Sequence, residues 1–314
     1  MDERAEQPVV IAVVGPTATG KSELALEVAE ELGGEVVNAD ASQLYRGMDI
    51  GTAKLPVSER RGIPHHQLDV LEVTQEASVA AYQAAARADL SDILARGRHP
   101  VVTGGSGLYV RAALDRLEIP PTDPDLRRRL EREAAERGTP VMFARLREAD
   151  PTAAASIEPN NTRRVVRALE VIELTGRPFS ATMPSREYLW PTVAVGLAVP
   201  RPVLDERIEQ RVRRMWHTGL LEEVRGLEPR GLREGRTASR AIGYAQALAE
   251  LDGDLTAEEA QQQTAALTRR LARRQESWFR PDRRVTWLDP RDHDTLARTV
   301  HLVRQAIRDN GRHG

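Results

Sequence analysis

Eight residues near the amino end, Gly15-Pro16-Thr17-Ala18-Thr19-Gly20-Lys21-Ser22, constrain the fold of this chain more than any other stretch. They match G-x-x-x-x-G-K-S and follow the β-branched run Val9-Val10-Ile11-Ala12-Val13-Val14. They open a segment from Glu23 to Leu32 with Leu24, Val28 and Leu32 on one helical stripe, closed by Gly33-Gly34. Strand, glycine turn and helix in that order make an anion cradle. The glycines let backbone N–H groups converge, and the helix N-terminus adds roughly half a positive charge. Lys21 reaches terminal phosphoryl oxygens, and Ser22 can hold Mg²⁺. A structural glycine turn is the competing reading, and the strand before and helix after weigh against it. The expected ligand is a pyrophosphate or triphosphate, held by Gly15, Pro16, Thr17, Ala18, Thr19, Gly20, Lys21 and Ser22.

The alternation continues along the chain. Glu35 to Ala39 reads as a second strand running into Asp40, Ser78 to Gly97 as a helix, and Pro100 to Thr103 as a third strand running into Gly104-Gly105-Ser106-Gly107. Such a pattern predicts an α/β fold, a P-loop doubly wound parallel sheet, whose ligands bind beyond the carboxyl ends of its strands. From Asp123 to about Pro178 no strand is recognisable. Helices are predicted there from Asp123-Pro124 to Arg137-Gly138, from Val141 to Ala149 and from Asn160 to Gly176. An inserted all-helical lobe is therefore expected over residues 119–185, hinged at Ile119-Pro120-Pro121 and Met183-Pro184, between core segments 1–118 and 186–314. In the second core segment Thr192 to Val199 and Val285 to Leu288 read as strands. Pro202 to Thr218, Thr256 to Arg280 and Asp292 to Asp309 read as helices.

Composition narrows the chemistry. The 314 residues contain no cysteine, which excludes a disulfide framework, a thiolate zinc site and a cysteine nucleophile. No apolar run approaches the roughly 18–20 residues that span a bilayer, and the amino end lacks the features of a signal peptide. A cytoplasmic protein with no membrane partner is expected, and the lack of an apolar seam suggests a monomer. Lys21 and Lys54 are the only lysines among 45 basic residues, a bias in keeping with a GC-rich genome. Against that background a retained lysine marks a position where a compact ammonium is needed in place of a guanidinium fork.

Asp40, the only acid emerging from an early strand, would face the cradle. It is either a turn cap or a general base that accepts a proton from an incoming nucleophile. Gln43 pairs a donor with an acceptor in a geometry suited to an adenine edge. The strand ending at Thr103 runs into a neutral glycine-rich turn where nucleotide hydrolases carry a metal-holding acid. That argues against an ATP-driven motor or GTPase switch and for a transferase with a polyphosphate leaving group.

Residues 261–284 hold seven arginines against Glu276 and Asp282, a local balance of +5, with Trp278 and Phe279 among them. Arginines interleaved with aromatics suit a nucleic-acid backbone with a base to stack, although a solvated charged face is the plainer alternative. Asn160-Asn161-Thr162-Arg163-Arg164 with Arg167 makes a second basic helix start. Any of Arg211, Arg213 and Arg214 could return to the phosphate site, and helical periodicity leaves the choice open. His65-His66, near Asp69, is read as structural or substrate-lining, not as a metal pair. These residues alone describe a P-loop transferase acting on something polyanionic. A P-loop small-molecule or nucleoside kinase using ATP, and an RNA-binding regulator with a nucleotide switch, are the alternatives.

Gly15 to Ser22, Asn38-Ala39-Asp40-Ala41-Ser42-Gln43-Leu44-Tyr45-Arg46-Gly47-Met48-Asp49-Ile50-Gly51-Thr52-Ala53-Lys54 and His65-His66-Gln67-Leu68-Asp69 together resemble the bacterial tRNA dimethylallyltransferases, or tRNA isopentenyltransferases. The resemblance continues through Gly104-Gly105-Ser106-Gly107-Leu108-Tyr109, Asn161 to Glu170, Ala241-Ile242-Gly243-Tyr244, and Thr268 to Gln275 with Trp278, so it spans about residues 9 to 290. It implies transfer of the dimethylallyl group of dimethylallyl pyrophosphate to the exocyclic amine of the adenosine just 3′ of a tRNA anticodon, with Mg²⁺ and an extruded base. It implies that Asp40 is the general base and that Ser106, at the family's usual threonine position, and Arg211 touch the reacting groups or the pyrophosphate. It further implies tRNA contacts from Ala41, Ser42, Gln43, Arg127, Arg163, Arg164, Arg167, Arg240, Gly243 and Tyr244. Arg273, Arg274, Gln275, Trp278 and Arg280 complete that set. Ala41 departs from the family's more frequent serine. With no cysteine in these residues, a bacterial type without the zinc-finger tail of the eukaryotic relatives is expected.

Overall fold

The computed structural model describes residues 7–182 and 186–310. Its strands are β1 (Val10–Val14), β2 (Glu35–Asn38), β3 (His65–His66), β4 (Pro100–Gly104), β5 (Thr192–Leu197) and β6 (Val285–Leu288). They form one six-stranded sheet in the order β3-β2-β4-β1-β5-β6, parallel throughout. β1 lies between β4 and β5, with Ile11 opposite both Val101 and Val193. All five of its residues are buried, which is why the segment is an unbroken apolar run rather than an alternating one. The chain winds to one side of β1 through β2, β3 and β4 and to the other through β5 and β6, so the crevice beyond the carboxyl ends opens at the phosphate loop.

Helix α1 (Lys21–Leu32) follows that loop, α2 (Val79–Ala95) precedes β4, and α3 (Gly107–Leu114) follows it. The insertion carries α4 (Pro124–Arg137), α5 (Thr139–Ala149), α6 (Pro151–Ser156) and α7 (Thr162–Thr175). After β5 come α8 (Arg201–His217), α9 (Leu220–Leu227), α10 (Tyr244–Leu251) and α11 (Ala257–Phe279), and α12 (Thr295–Asn310) follows β6. Val9, Ile11 and Val13 point to one face, where Leu24 and Val28 of α1 meet Val303 and Ile307 of α12. α2 and α3 pack against β2 and β4. The long helices begin at their caps: Ser78 accepts from the Ala81 N–H, and Thr256 forms a capping box with Glu259. Helices α3, α6, α9 and α10 were not expected. Each has only six to eight residues, too short for an apolar stripe to repeat.

The chain divides into two compact units, one made of residues up to Leu114 and from Tyr188 onward, the other Asp115–Glu187. In the second unit α4 to α7 close on Leu130, Met142, Leu146, Val165 and Leu169. Glu170 is fully buried there, and it accepts from Thr122 Oγ1 (2.7 Å), the Asp123 N–H (3.0 Å), Arg127 Nη2 (2.6 Å) and Arg167 Nη1 (2.8 Å). Arg167 also donates to the carbonyls of Pro120 and Pro121 at 2.7 and 2.9 Å. Within Ile119-Pro120-Pro121, expected to be a hinge, the carbonyls of Pro120 and Pro121 are thus tied to α7. The other expected hinge, Met183-Pro184, lies outside the described residues.

Candidate active site

Gly15 follows β1 with φ of 134°, and a Cβ there would stand 2.6 Å from the Leu197 carbonyl oxygen, so only glycine fits. The loop then folds back on itself. Thr19 Oγ1 and Lys21 Nζ both donate to the Pro16 carbonyl, at 2.8 and 2.6 Å. Ala18 is buried against Leu204, Ile208 and Val212 of α8 and Ala265 and Ala272 of α11, which anchors the loop from behind. Thr17 is fastened by the same two helices. Its N–H donates to Gln275 Oε1 at 2.8 Å, and its Oγ1 accepts from Arg211 Nη1 at 3.3 Å.

Asp40 is held by the end of β2. The Asn38 carbonyl accepts from the Tyr82 hydroxyl at 2.8 Å, and the Asn38 amide donates to the carbonyls of Asp40 and Gln67 at 3.0 and 2.9 Å. Asn38 Oδ1 in turn accepts from the Asp40 N–H at 2.9 Å. Asp40 Oδ1 accepts from the Ser42 N–H at 3.0 Å, so Asp40 does cap a turn, and its second oxygen has no partner among the described residues. Lys21, Ser22, Asp40, Gln43, Arg211 and Gln275 all line one cavity of about 730 Å³. Gln43 Nε2 donates to the Thr52 carbonyl at 3.1 Å, which orients its amide. Arg214 also lines this cavity and Arg213 does not.

The electrostatics follow first from burial and then from the crowding of like charge. Burial, and then the neighbouring Arg211 guanidinium, push the Lys21 ammonium down to about 7, with Asp40 pulling it up. Arg211 is lowered by burial and by Arg214, again opposed by Asp40. A diphosphate entering this cluster should restore the proton to Lys21. Binding should therefore be proton-neutral at this lysine below about pH 7 and take up close to one proton above it. Calorimetry of inorganic pyrophosphate binding in buffers of different ionisation enthalpy reads this directly. Uptake at about pH 8 should exceed that of Lys21→Arg, whose guanidinium stays charged throughout. Equal uptake by the two proteins would refute the assignment to Lys21.

Other sequence-picked residues are distributed unevenly. Ser106 Oγ accepts from the Ala41 N–H at 3.4 Å and is not among the residues lining the cavity. Arg163, Arg164, Arg240, Arg273 and Arg274 are exposed and have no acidic partner among the described residues. Trp278 is 42% exposed and packs over Gly107. Arg280 bonds Glu276 and stacks on Trp287 at 4.4 Å. Five of the residues expected to touch RNA are engaged within the protein. Tyr244 is fully buried, and Gln275 is turned inward onto the phosphate loop. Arg127 and Arg167 direct their guanidinium groups at Glu170. Gly243, also buried, donates its N–H to Gln246 Oε1 at 2.9 Å. His66 Nε2 lies 2.8 Å from Glu35, which gives the histidine pair a structural place on the edge strand.

Asn38 and Lys54 escaped sequence reasoning as parts of the site. Lys54 carried a signal in being one of two lysines. Its Nζ meets the Tyr45 carbonyl, Asp49 Oδ1 and Asp69 Oδ1 at 2.7, 2.6 and 2.5 Å, a convergence that suits a point charge.

A family model described as IPP transferase matches residues 43–282. A protein of Kineococcus radiotolerans named tRNA dimethylallyltransferase is 61% identical over 300 residues, covering 93% of this chain and 95% of its own. One of Streptomyces griseus with the same name is 56% identical over 310 residues, covering 98% and 99%. Among solved structures, the full-length tRNA isopentenylpyrophosphate transferase of Bacillus halodurans has a TM-score of 0.72 and 38% identity, covering 97% of this chain and 98% of that one. A eukaryotic dimethylallyltransferase described as acting on tRNA has a TM-score of 0.79 and 28% identity, covering 94% and 78%.

Proposed function

Because the chain belongs to the IPP transferase family, that of the tRNA dimethylallyltransferases, we propose that its cavity joins dimethylallyl pyrophosphate to the exocyclic amine of the adenosine 3′ to a tRNA anticodon. The supporting observation is that the phosphate loop and Asp40 line the same cavity. Loop amides at the start of α1, with Lys21 and Arg211, hold the diphosphate and stabilise the charge that develops as it leaves. The N6 amine of an extruded adenosine attacks C1 of the dimethylallyl group. The N6–C1 bond forms, the C1–O bond breaks with its electron pair going to the diphosphate, and the free oxygen of Asp40 accepts the amine proton. The products are N6-dimethylallyl adenosine and pyrophosphate.

The Ser22 hydroxyl lines the cavity and has no protein partner among the described residues, so the donor set fits a Mg²⁺ that takes its remaining ligands from diphosphate and water. Bound there, Mg²⁺ would add positive charge beside the leaving group. The exposed Arg273, Arg274 and Trp278 on and beyond the middle of α11 supply backbone charge and a stacking face for tRNA. Incubating the protein with tRNA and either labelled dimethylallyl pyrophosphate or labelled ATP tests the reading. Label should enter tRNA from the first donor and not from the second. Phosphate label in RNA from ATP would replace this reading with a kinase.

A further inference from the structure

We propose that Glu223 and Tyr244, neither of which lines the cavity, are positioning residues that hold the wall formed by residues 49–54 and, through it, Gln43. The inference rests on the cavity being the site of dimethylallyl transfer. Asp49, Ile50, Thr52, Ala53 and Lys54 belong to that wall, which contains no helix or strand and so depends on outside contacts for its shape. Glu223, in the first turn of α9, supplies them. Its carboxylate accepts from the successive backbone N–H groups of Asp49, Ile50 and Gly51, at 3.1, 2.7 and 3.4 Å. Consecutive amides converging in this way form an anion nest, filled here by a side chain of the protein itself.

Tyr244 fixes Glu223 in turn. Its hydroxyl donates to Glu223 Oε1 at 2.5 Å, and burial together with the Glu223 charge keeps that hydroxyl protonated. The ring sits among Leu220, Val224 and Leu248. Gly51 lies directly against it, since a Cβ there would stand 2.4 Å from a ring carbon. The segment leads back into the site at Thr52, whose carbonyl accepts from Gln43 Nε2. A line of contacts thus runs from Tyr244 through Glu223 and residues 49–52 to a side chain three positions from Asp40. Reacting groups displaced by about 1 Å lose on the order of 10²-fold in rate, so slack in this line should register in the chemical step.

Two variants test it. Tyr244→Phe keeps the ring on Gly51 and deletes one hydroxyl, while Glu223→Gln keeps the shape and weakens the acceptor. Single-turnover transfer at saturating dimethylallyl pyrophosphate and tRNA should fall roughly 10–100-fold in each. The double variant should fall little further, because both act through one contact. Dissociation constants for tRNA and pyrophosphate should stay within a few-fold, and Glu222→Gln, on the exposed side of the same helix turn, should match the unsubstituted protein. A lowered melting temperature with an unchanged rate per folded molecule would overturn the proposal and leave a purely structural role. A loss confined to the tRNA dissociation constant would overturn it too, by making Tyr244 an RNA contact. If Glu223→Gln does not fold, Tyr244→Phe carries the test alone. Full activity of Asp40→Asn in the same assay would count against the transfer site itself, not against the line of contacts.

Discussion

Replacing Asp40 by asparagine should slow dimethylallyl transfer by roughly 10²–10⁴-fold while leaving tRNA affinity within a few-fold, the usual worth of a positioned base. The change is nearly isosteric. Asparagine can still accept from the Ser42 N–H through its amide oxygen, so the turn that Asp40 caps should persist. What disappears is the second carboxylate oxygen, the one with no partner among the described residues. The negative charge that offsets Lys21 and Arg211 is lost as well. Diphosphate should therefore bind Asp40→Asn at least as tightly as the unsubstituted protein, because the nearest anion has been removed. Single-turnover prenylation separates the chemical step from product release, and a normal rate would remove Asp40 from the mechanism.

Replacing Glu170 by alanine should destabilise the unit Asp115–Glu187 by about 3–5 kcal/mol, the cost of removing one partner from a buried ionic network. Burial would raise the Glu170 carboxyl, but hydrogen bonds from Thr122, Arg127, Arg167 and the Asp123 N–H outweigh it and hold the group at about 2, below its ordinary 4.5. A depressed folded value means stability that is complete above about pH 4.5 and lost as pH falls toward 2, on the order of 3 kcal/mol in all. Limited proteolysis should cut the variant between residues 115 and 187 at neutral pH, and the unsubstituted protein only when acidified. Equal resistance of both proteins at every pH would show that Glu170 is not the centre of this unit.

Much of the architecture was legible because its signals are local. The long helices carry their caps in the sequence at Ser78, Asp123 and Thr256, and the central strands announce themselves as unbroken apolar runs. The phosphate loop needs only its own spacing. The short helices α9 and α10 were illegible, and with them went the support they provide for residues 49–51, since an eight-residue helix shows barely two turns of pattern.

Motif residues divided in the same way. Lys21 and Asp40 have positions dictated by the strands they follow, so a sequence reading could bring them together. Gln275 and Arg274 are neighbours on one arginine-rich helix, yet one is tied to Thr17 and the other is exposed. Helical spacing ranks residues around an axis without saying which side meets the protein. Arg127 and Arg167 likewise read as RNA-facing charge, and only the structure shows that both pair with a buried carboxylate contributed by α7.

The sequence alone determined the α/β class, the anion cradle and the acid facing it, because each is signalled by a local pattern: unbroken apolar runs, the glycine spacing, and an acid at the carboxyl end of a strand. Tertiary structure decided which polar side chains turn inward and which stay exposed. Those choices depend on burial against segments up to 258 residues away, as between Thr17 and Gln275, where the cost of an unpaired polar group selects the partner.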